Sequence, residues 1–304
     1  MNKNEPIVPK VLFKYRDDSE RTEEIIKNRQ IWLSSPPQLN DPLECRMGEI
    51  PKDWEDKTIR ELEDQQLLGV IIDPVTFQKT KRLFSLTERE TKRWLKRFAK
   101  LPHSRKMKAM RELYSQHGVE LSRPERIFKD MRKRLSSVGI FSLSESYSNE
   151  LMWAHYGAEH QGIAFGFSCS NNCKLQNPRH ILQVAYSSEK PRFKAGFKNE
   201  LQVMPPGSGE NNVQRVSFDD EVFRSSISTK TPAWEYEKEW RYVEESHGLF
   251  DFPGMLSQAV FGMKMNKERK NHYKKLIKKY ISNNVDFFEI VESHNLAGIE
   301  IRKV

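Results

Sequence analysis

Between Lys230 and Val243 the hydrophobic and polar positions alternate one by one. Trp234, Tyr236, Trp240 and Tyr242 take the even positions, and Glu235, Glu237, Glu239 and Arg241 the odd ones. Successive side chains of a β-strand point to opposite faces, so the pattern predicts a strand with an aromatic face on the core. The other face carries three carboxylates and a guanidinium. Carboxylates two positions apart on such a face lie roughly 6.5–7 Å from each other and repel. At least one pKa then rises unless cations intervene. Such a strand is a candidate site, and a solvated face neutralised by Arg241 and Lys238 has the same spacing. The alternation predicts Trp234, Tyr236 and Trp240 mostly in the core. It puts Glu237, Glu239 and Arg241 towards a cleft near Arg16 and Asn40–Asp41.

The remaining periodicities predict an α+β fold, a mixed or antiparallel central sheet with flanking helices. Strands are expected at Val11–Arg16, Ile31–Ser34, Val138–Ser144, Gly162–Phe167, Ile181–Tyr186, Ala259–Gly262, Asp286–Val291 and Gly298–Arg302. A turn and cap at Asp17–Glu20 leads a helix through Ile25 and Ile26. Ser148 is expected to cap a short helix over Asn149–Tyr156 that Gly157 ends. Helices are also expected over Phe218–Ser228 and Asn266–Ile281, the latter basic and amphipathic. Residues 190–215, with Met204-Pro-Pro-Gly-Ser-Gly209, are expected to be an irregular loop. Leu39–Glu44 is expected to be a loop in which Asn40 and Asp41 bond nearby backbone.

From about Trp54 to Leu135 the apolar spacing becomes helical and the charge basic. This divides the chain into an α+β domain over 1–50 and 136–304 and an inserted subdomain of three or four helices over 51–135. Composition sharpens that division. Net charge is +9, but between Lys79 and Arg134 stand 19 Lys and Arg against 6 Asp and Glu. A localised basic face is the electrostatic footprint of nucleic acid or another phosphate-rich partner, with Arg93, Lys96, Arg97 and Lys100 as its candidate contacts. Solvated helices also have this composition.

With 37% hydrophobic and 31% charged residues, the chain reads as a soluble globular protein with ample scope for a core. It has no run of about 18 apolar residues, so no membrane span is expected. The start lacks the apolar segment of a secretion signal. Cys45, Cys169 and Cys173 are too few and too oddly numbered for a disulfide framework, which fits a reducing cytoplasm. No metal site is expected, since Cys169-x-x-x-Cys173 has no matching second pair. Phosphate-loop, dinucleotide-binding, zinc-protease and nucleophile-elbow signatures are missing.

Other motifs join into a pattern. They are Phe13-Lys-Tyr-Arg16, Ile31-Trp-Leu-Ser-Ser-Pro36, Asn40-Asp-Pro-Leu-Glu44, Phe141-Ser-Leu-Ser144, Met152-Trp-Ala-His-Tyr156, Gly162–Phe167, Lys230 and Trp234–Arg241. In this combination, over about residues 11 to 262 apart from the insert, the chain resembles a bacterial family known as domain of unknown function 2971. More distantly it resembles the arginine–serine–glutamate class of ADP-ribosyltransferases, through Arg16, Ser142-Leu-Ser144 and Glu237-Lys-Glu239 in that order. The gap from Arg16 to Ser142 departs from a compact transferase, and the helical insert accounts for it.

That second resemblance implies an NAD-using enzyme. Arg16 would hold the pyrophosphate, Ser142 and Ser144 would shape the nicotinamide pocket, Glu239 would be catalytic and Glu237 would orient the acceptor. Tyr15, Trp153 and Tyr156 complete the expected cofactor-binding set. Asn40, Asp41, Glu44, His155, Lys230 and Arg241 are further site candidates. The family resemblance alone implies an intracellular toxin or phage-defence setting. Two alternatives stay open: a nucleic-acid-binding effector without transferase chemistry, and a metal-dependent nuclease using Asp41, Glu44 and the central glutamates.

Overall fold

The computed structural model describes residues 6–73, 76–121, 123–169, 173–193, 198–202, 213–293 and 297–304. The chain forms two compact units, Met1–Met47, Arg134–Pro191 and Arg224–Val304 in one, Gly48–Lys133 and Arg192–Phe223 in the other. In chain order β1 (Val11–Arg16), α1 (Glu20–Asn28) and β2 (Gln30–Leu33) precede the helices α2 (Lys52–Ile71), α3 (Glu88–Ala99), α4 (His103–Gln116) and α5 (Arg126–Ser137). Then come β3 (Gly139–Ser144), α6 (Glu150–Tyr156), β4 (Ile163–Ser168), β5 (Ile181–Gln183), β6 (Ala185–Tyr186), β7 (Asn199–Gln202) and β8 (Val213–Val216). The chain finishes with α7 (Glu221–Ser228), β9 (Thr229–Lys230), β10 (Glu239–Glu244), β11 (Gly248–Asp251), β12 (Met255–Phe261), α8 (Lys267–Tyr280), β13 (Asp286–Glu292) and β14 (Ile299–Lys303). The fold is α+β.

The first unit is built on an eight-stranded sheet in the order β14-β13-β12-β4-β1-β3-β10-β5. Only β12 and β13 run parallel, joined through α8, and the other neighbours are antiparallel. Alternation gives the sheet two apolar faces. Leu12, Phe141, Leu143, Phe165, Trp240 and Tyr242 pack towards α1 and α8 through Ile25, Ile26, Tyr273 and Ile277. On the other face Phe13, Tyr15, Ala164 and Val260 pack with Met152 and Trp153 of α6. Ser19 caps α1 and Asn266 caps α8, each side chain accepting an amide hydrogen bond three residues on. In the second unit Leu67, Val70, Phe98, Met107, Met110 and Leu113 of α2, α3 and α4 form a separate core.

One seam in the sheet makes room for a cavity. β1 and β3 are neighbours but pair at a single position, Phe13 opposite Ser144. At its other end β3 is bridged by Ser34, just after β2, through amide–carbonyl bonds between Ser34 and Ile140 of 2.9 and 2.8 Å. A gap is left between. Gly162 sets the end of β1 from the other side, since a Cβ there would lie 2.1 Å from the Arg16 carbonyl oxygen.

The predicted central strand is the main correction. Pro232–Glu237 is a 3-10 turn, Lys238 is left-handed at φ 45°, and only Glu239–Glu244 is strand. Pro232 at the first turn position has no amide to give a ladder and a φ suited to helix, which overrides the alternation. Trp234 and Tyr236 are consequently half-buried rather than core, whereas Trp240 and Tyr242 are buried as predicted. Other differences are smaller. Asn149, not Ser148, caps α6. Ile181–Tyr186 divides into β5 and β6 at Val184, whose amide bonds the Glu239 carbonyl. Part of the expected 190–215 loop pairs as β7 and β8, and Met204–Gly209 lies outside the described residues.

Candidate functional site

The seam opens into a cavity of about 380 Å³ within the first unit, lined from β1, the 34–44 loop, β3, α6, Lys230 and the turn into β10. Its size falls in the usual range for ligand pockets. Tyr15, Arg16, Asn40, Glu44, Ser142, Ser144, His155, Tyr156, Lys230, Glu237 and Glu239 all line it. Strands β1, β3 and β10, with the 34–44 loop, α6, β9 and the turn before β10, thus bring most of the sequence-predicted residues together.

The left-handed Lys238 turns the chain between Glu237 and Glu239, so that both carboxylates converge on one cation instead of standing apart on a strand face. Lys230 Nζ lies 2.6 Å from Glu237 Oε2 and 3.4 Å from Glu239 Oε2. It also sits 4.5 Å from the centre of the Trp234 ring. Ser144 Oγ fixes this turn by donating to the Glu237 carbonyl at 2.6 Å, and the Glu239 amide donates to the Tyr186 hydroxyl at 2.8 Å.

Arg241 is fully buried behind Glu239. A guanidinium has five N–H donors, and this one places all of them: two on Glu239, and one each on Glu44, Cys45 Sγ and the Ile227 carbonyl. It is therefore a support of the site and not a wall of the cleft, contrary to the expectation from alternation. Asp41 is also buried and does not line the cavity, its carboxylate accepting from the Leu43 amide at 2.8 Å. Trp153 lies wholly in the core, its Nε1 donating to the Tyr147 carbonyl. The cavity wall from α6 is formed by Met152, His155 and Tyr156 instead.

Electrostatics separates the two glutamates. Burial pushes both carboxyls up. At Glu239 the charges of Arg241 and Lys230 and a hydrogen bond from Ser142 outweigh burial and hold it well below the usual range. At Glu237 burial wins, helped by the Glu239 charge, against Lys230 and a 2.6 Å hydrogen bond from the Tyr156 hydroxyl. Within the ion pairs, Lys230 and Arg241 serve Glu44, Glu237 and Glu239, and Glu237 is the one whose burial is not outweighed. The expected rise of one pKa is present, through burial and convergence rather than strand spacing.

Lys14 is the cation of the site that sequence reasoning missed. It lines the cavity beside Arg16, and its Nζ donates to the Ser142 carbonyl at 2.9 Å. The available signal was its parity with Arg16 in Phe13-Lys-Tyr-Arg16. Tyr186 and Cys45 had no signal, since their roles depend on the backbone turn at Lys238 and on the side chain of Arg241. Arg93, Lys96, Arg97 and Lys100 lie elsewhere, all exposed along α3 in the second unit.

A family model described as "Protein of unknown function (DUF2971)" matches residues 152–242. The match supports the resemblance to that family over the stretch that carries α6, Lys230, Glu237, Glu239 and Arg241. No curated protein and no solved structure matches the chain. Among the described residues no helix is long and apolar enough to cross a membrane.

Proposed function

We propose that the cleft is the active site of an NAD-dependent ADP-ribosyltransferase-like enzyme. The observation that carries this reading is the meeting of Arg16, Ser142 and Glu239, from three neighbouring strands, with Glu237 of the turn before β10 around one cavity. NAD fits the polarity of that cavity. Arg16 presents a guanidinium whose Nε is buried without a hydrogen-bond partner among the described residues, the group a pyrophosphate requires. At the other end a carboxylate kept ionised can stabilise positive charge developing on a ribose. When bound, NAD supplies the ADP-ribosyl group and nicotinamide as leaving group. Glu239 provides the fixed negative charge. Glu237, with its raised pKa and its bond to Tyr156, is the group placed to take a proton from an acceptor; two carboxyls pushed apart in this way divide the electrostatic and acid–base roles.

The test is nicotinamide release from NAD, with label transfer to protein and nucleic-acid acceptors. The wild type is expected to release nicotinamide. Glu237→Gln is expected to lower the rate about 10²- to 10⁴-fold while leaving the fold intact. No release by the wild type, with or without acceptors, overturns the reading.

A second reading has its own observation. Lys52, Lys57 and Lys108 pair with carboxylates on their own helices, but Arg93, Lys96 and Arg97 of α3 and Lys100 at its C-cap form no ion pair among the described residues. Such a stripe suits a nucleic-acid backbone. Binding through 6–10 phosphates should weaken roughly 10³- to 10⁵-fold between 50 and 200 mM salt. Affinity unchanged by reversing all four charges removes this reading. The metal-dependent nuclease has no such support. Glu44, Glu237 and Glu239 are each held by a cation, and among the described residues no three His, Cys, Asp or Glu are grouped to hold a metal ion.

A further inference from the structure

In a continuous antiparallel pair the Ser142 carbonyl would face a strand amide. Here the strands have parted, and the Lys14 ammonium stands in the gap, 2.9 Å from that carbonyl and 4.9 Å from the centre of the Phe141 ring. An ammonium carries three donors, and this carbonyl takes one. Arg16 lies two residues on along the same strand, lining the same cavity with its Nε unpartnered. The ion pairs of the cleft join Lys230 and Arg241 to glutamates, and Lys14 and Arg16 take no part in them. Burial disfavours the charged form of both, and the nearby charges of Glu239 and Glu237 at Lys14 and of Asp17 at Arg16 do not make it up. A multiply charged oxyanion in the cavity offsets that cost.

We infer that Lys14 is a second anion-binding residue of the cleft, holding with Arg16 a phosphate or pyrophosphate group in the gap between β1 and β3. For a nucleotide ligand this rests on the transferase reading. The residues divide the work by chemistry: Arg16 offers a planar fork, Lys14 a compact point charge.

The pairing links binding to protons. Burial, then the charge of Arg16, outweigh the pull of Glu239 and Glu237 and lower the Lys14 pKa to about 8. Arg16 and Asp17 face the site from β1 and its end, Glu44 from the loop, His155 and Tyr156 from α6, and Lys230, Glu237 and Glu239 from β9 and the turn into β10. A bound oxyanion raises the Lys14 pKa again. Between pH 8 and 9 binding must therefore take up protons, and affinity must fall with rising pH, by at most about tenfold per pH unit for one linked proton.

The experiment is titration calorimetry at pH 8.5 in two buffers of different ionisation enthalpy. The probes are ADP-ribose and sulfate, neither of which titrates there. Wild type is expected to bind ADP-ribose with proton uptake. Lys14→Met should weaken binding of both probes about 10- to 100-fold and abolish the uptake. Lys14→Arg should keep binding but lose the uptake, a result that misfolding does not give. Binding by Lys14→Met equal to wild type, uptake that survives Lys14→Arg, or no binding of either probe by wild type overturns the inference. Lys14-dependent sulfate binding with no nicotinamide release from NAD sustains the anion site and removes the transferase. Nicotinamide release with Lys14→Met binding as wild type does the reverse.

Discussion

At the scale of single residues, Glu237 and Glu239 differ in kind although they stand two apart. Glu239 neutralises Arg241 and Lys230 in a fully buried setting. Removing one partner of a buried pair leaves an uncompensated charge and costs about 3–5 kcal/mol. Glu239→Gln should therefore destabilise the protein strongly in thermal melts. From the strand pattern alone the opposite is expected, because there the substitution only relieves repulsion. Glu237→Gln removes a carboxyl that burial pushes up while keeping its size, and Lys230 still has Glu239 within 3.4 Å. This substitution should cost less than Glu239→Gln, because Glu239 serves both Arg241 and Lys230 whereas Glu237 serves Lys230 alone. Equal losses in the two variants would contradict this division of roles.

At the scale of elements, the turn into β10 decides both stability and site. Trp240, 2% exposed, anchors β10 on the larger core, and Trp240→Ala should cost about 3–5 kcal/mol by chemical denaturation. Lys238 is exposed and left-handed. Lys238→Gly relieves that conformation and should stabilise by up to about 1 kcal/mol, whereas β-branched Lys238→Val should destabilise by more than about 1 kcal/mol. The sequence made β1, β3, β4, α1 and α8 legible because their periods and caps agree with their burial. It misplaced the start of β10 because Trp234 and Tyr236 keep the parity of a strand while Pro232 sets helical φ. No local pattern foretells that a left-handed residue brings two glutamates onto one lysine. The contacts are long-range, with Glu44 reaching Arg241 across the chain.

For the molecule as a whole, acid should be the effective denaturant. Glu239 is held down by Arg241 and Lys230, and Glu23 is lowered to about 2 by Lys27, Arg269 and His272 against its own burial. A carboxyl with a depressed folded pKa contributes stability that is complete above its unfolded value. That contribution is lost as pH falls through the folded value. Melting temperature should fall steeply from about pH 4.5 towards 2, and less steeply for Glu239→Gln. A flat profile over that range would show that these pairs contribute nothing. The single β1–β3 pairing has a mechanical consequence as well. The sheet is two panels, β14 to β1 and β3 to β5, joined by one rung and by the side chains of Lys14 and Tyr15 reaching across to Ser142 and Ser146. Of the neighbouring strand pairs in this sheet, β1–β3 has the fewest backbone partners, so its amides should be the first of the sheet to exchange. A molecule lodged in the cavity then acts as a rivet, and its grip is readable as slowed deuterium uptake at amides on both panels.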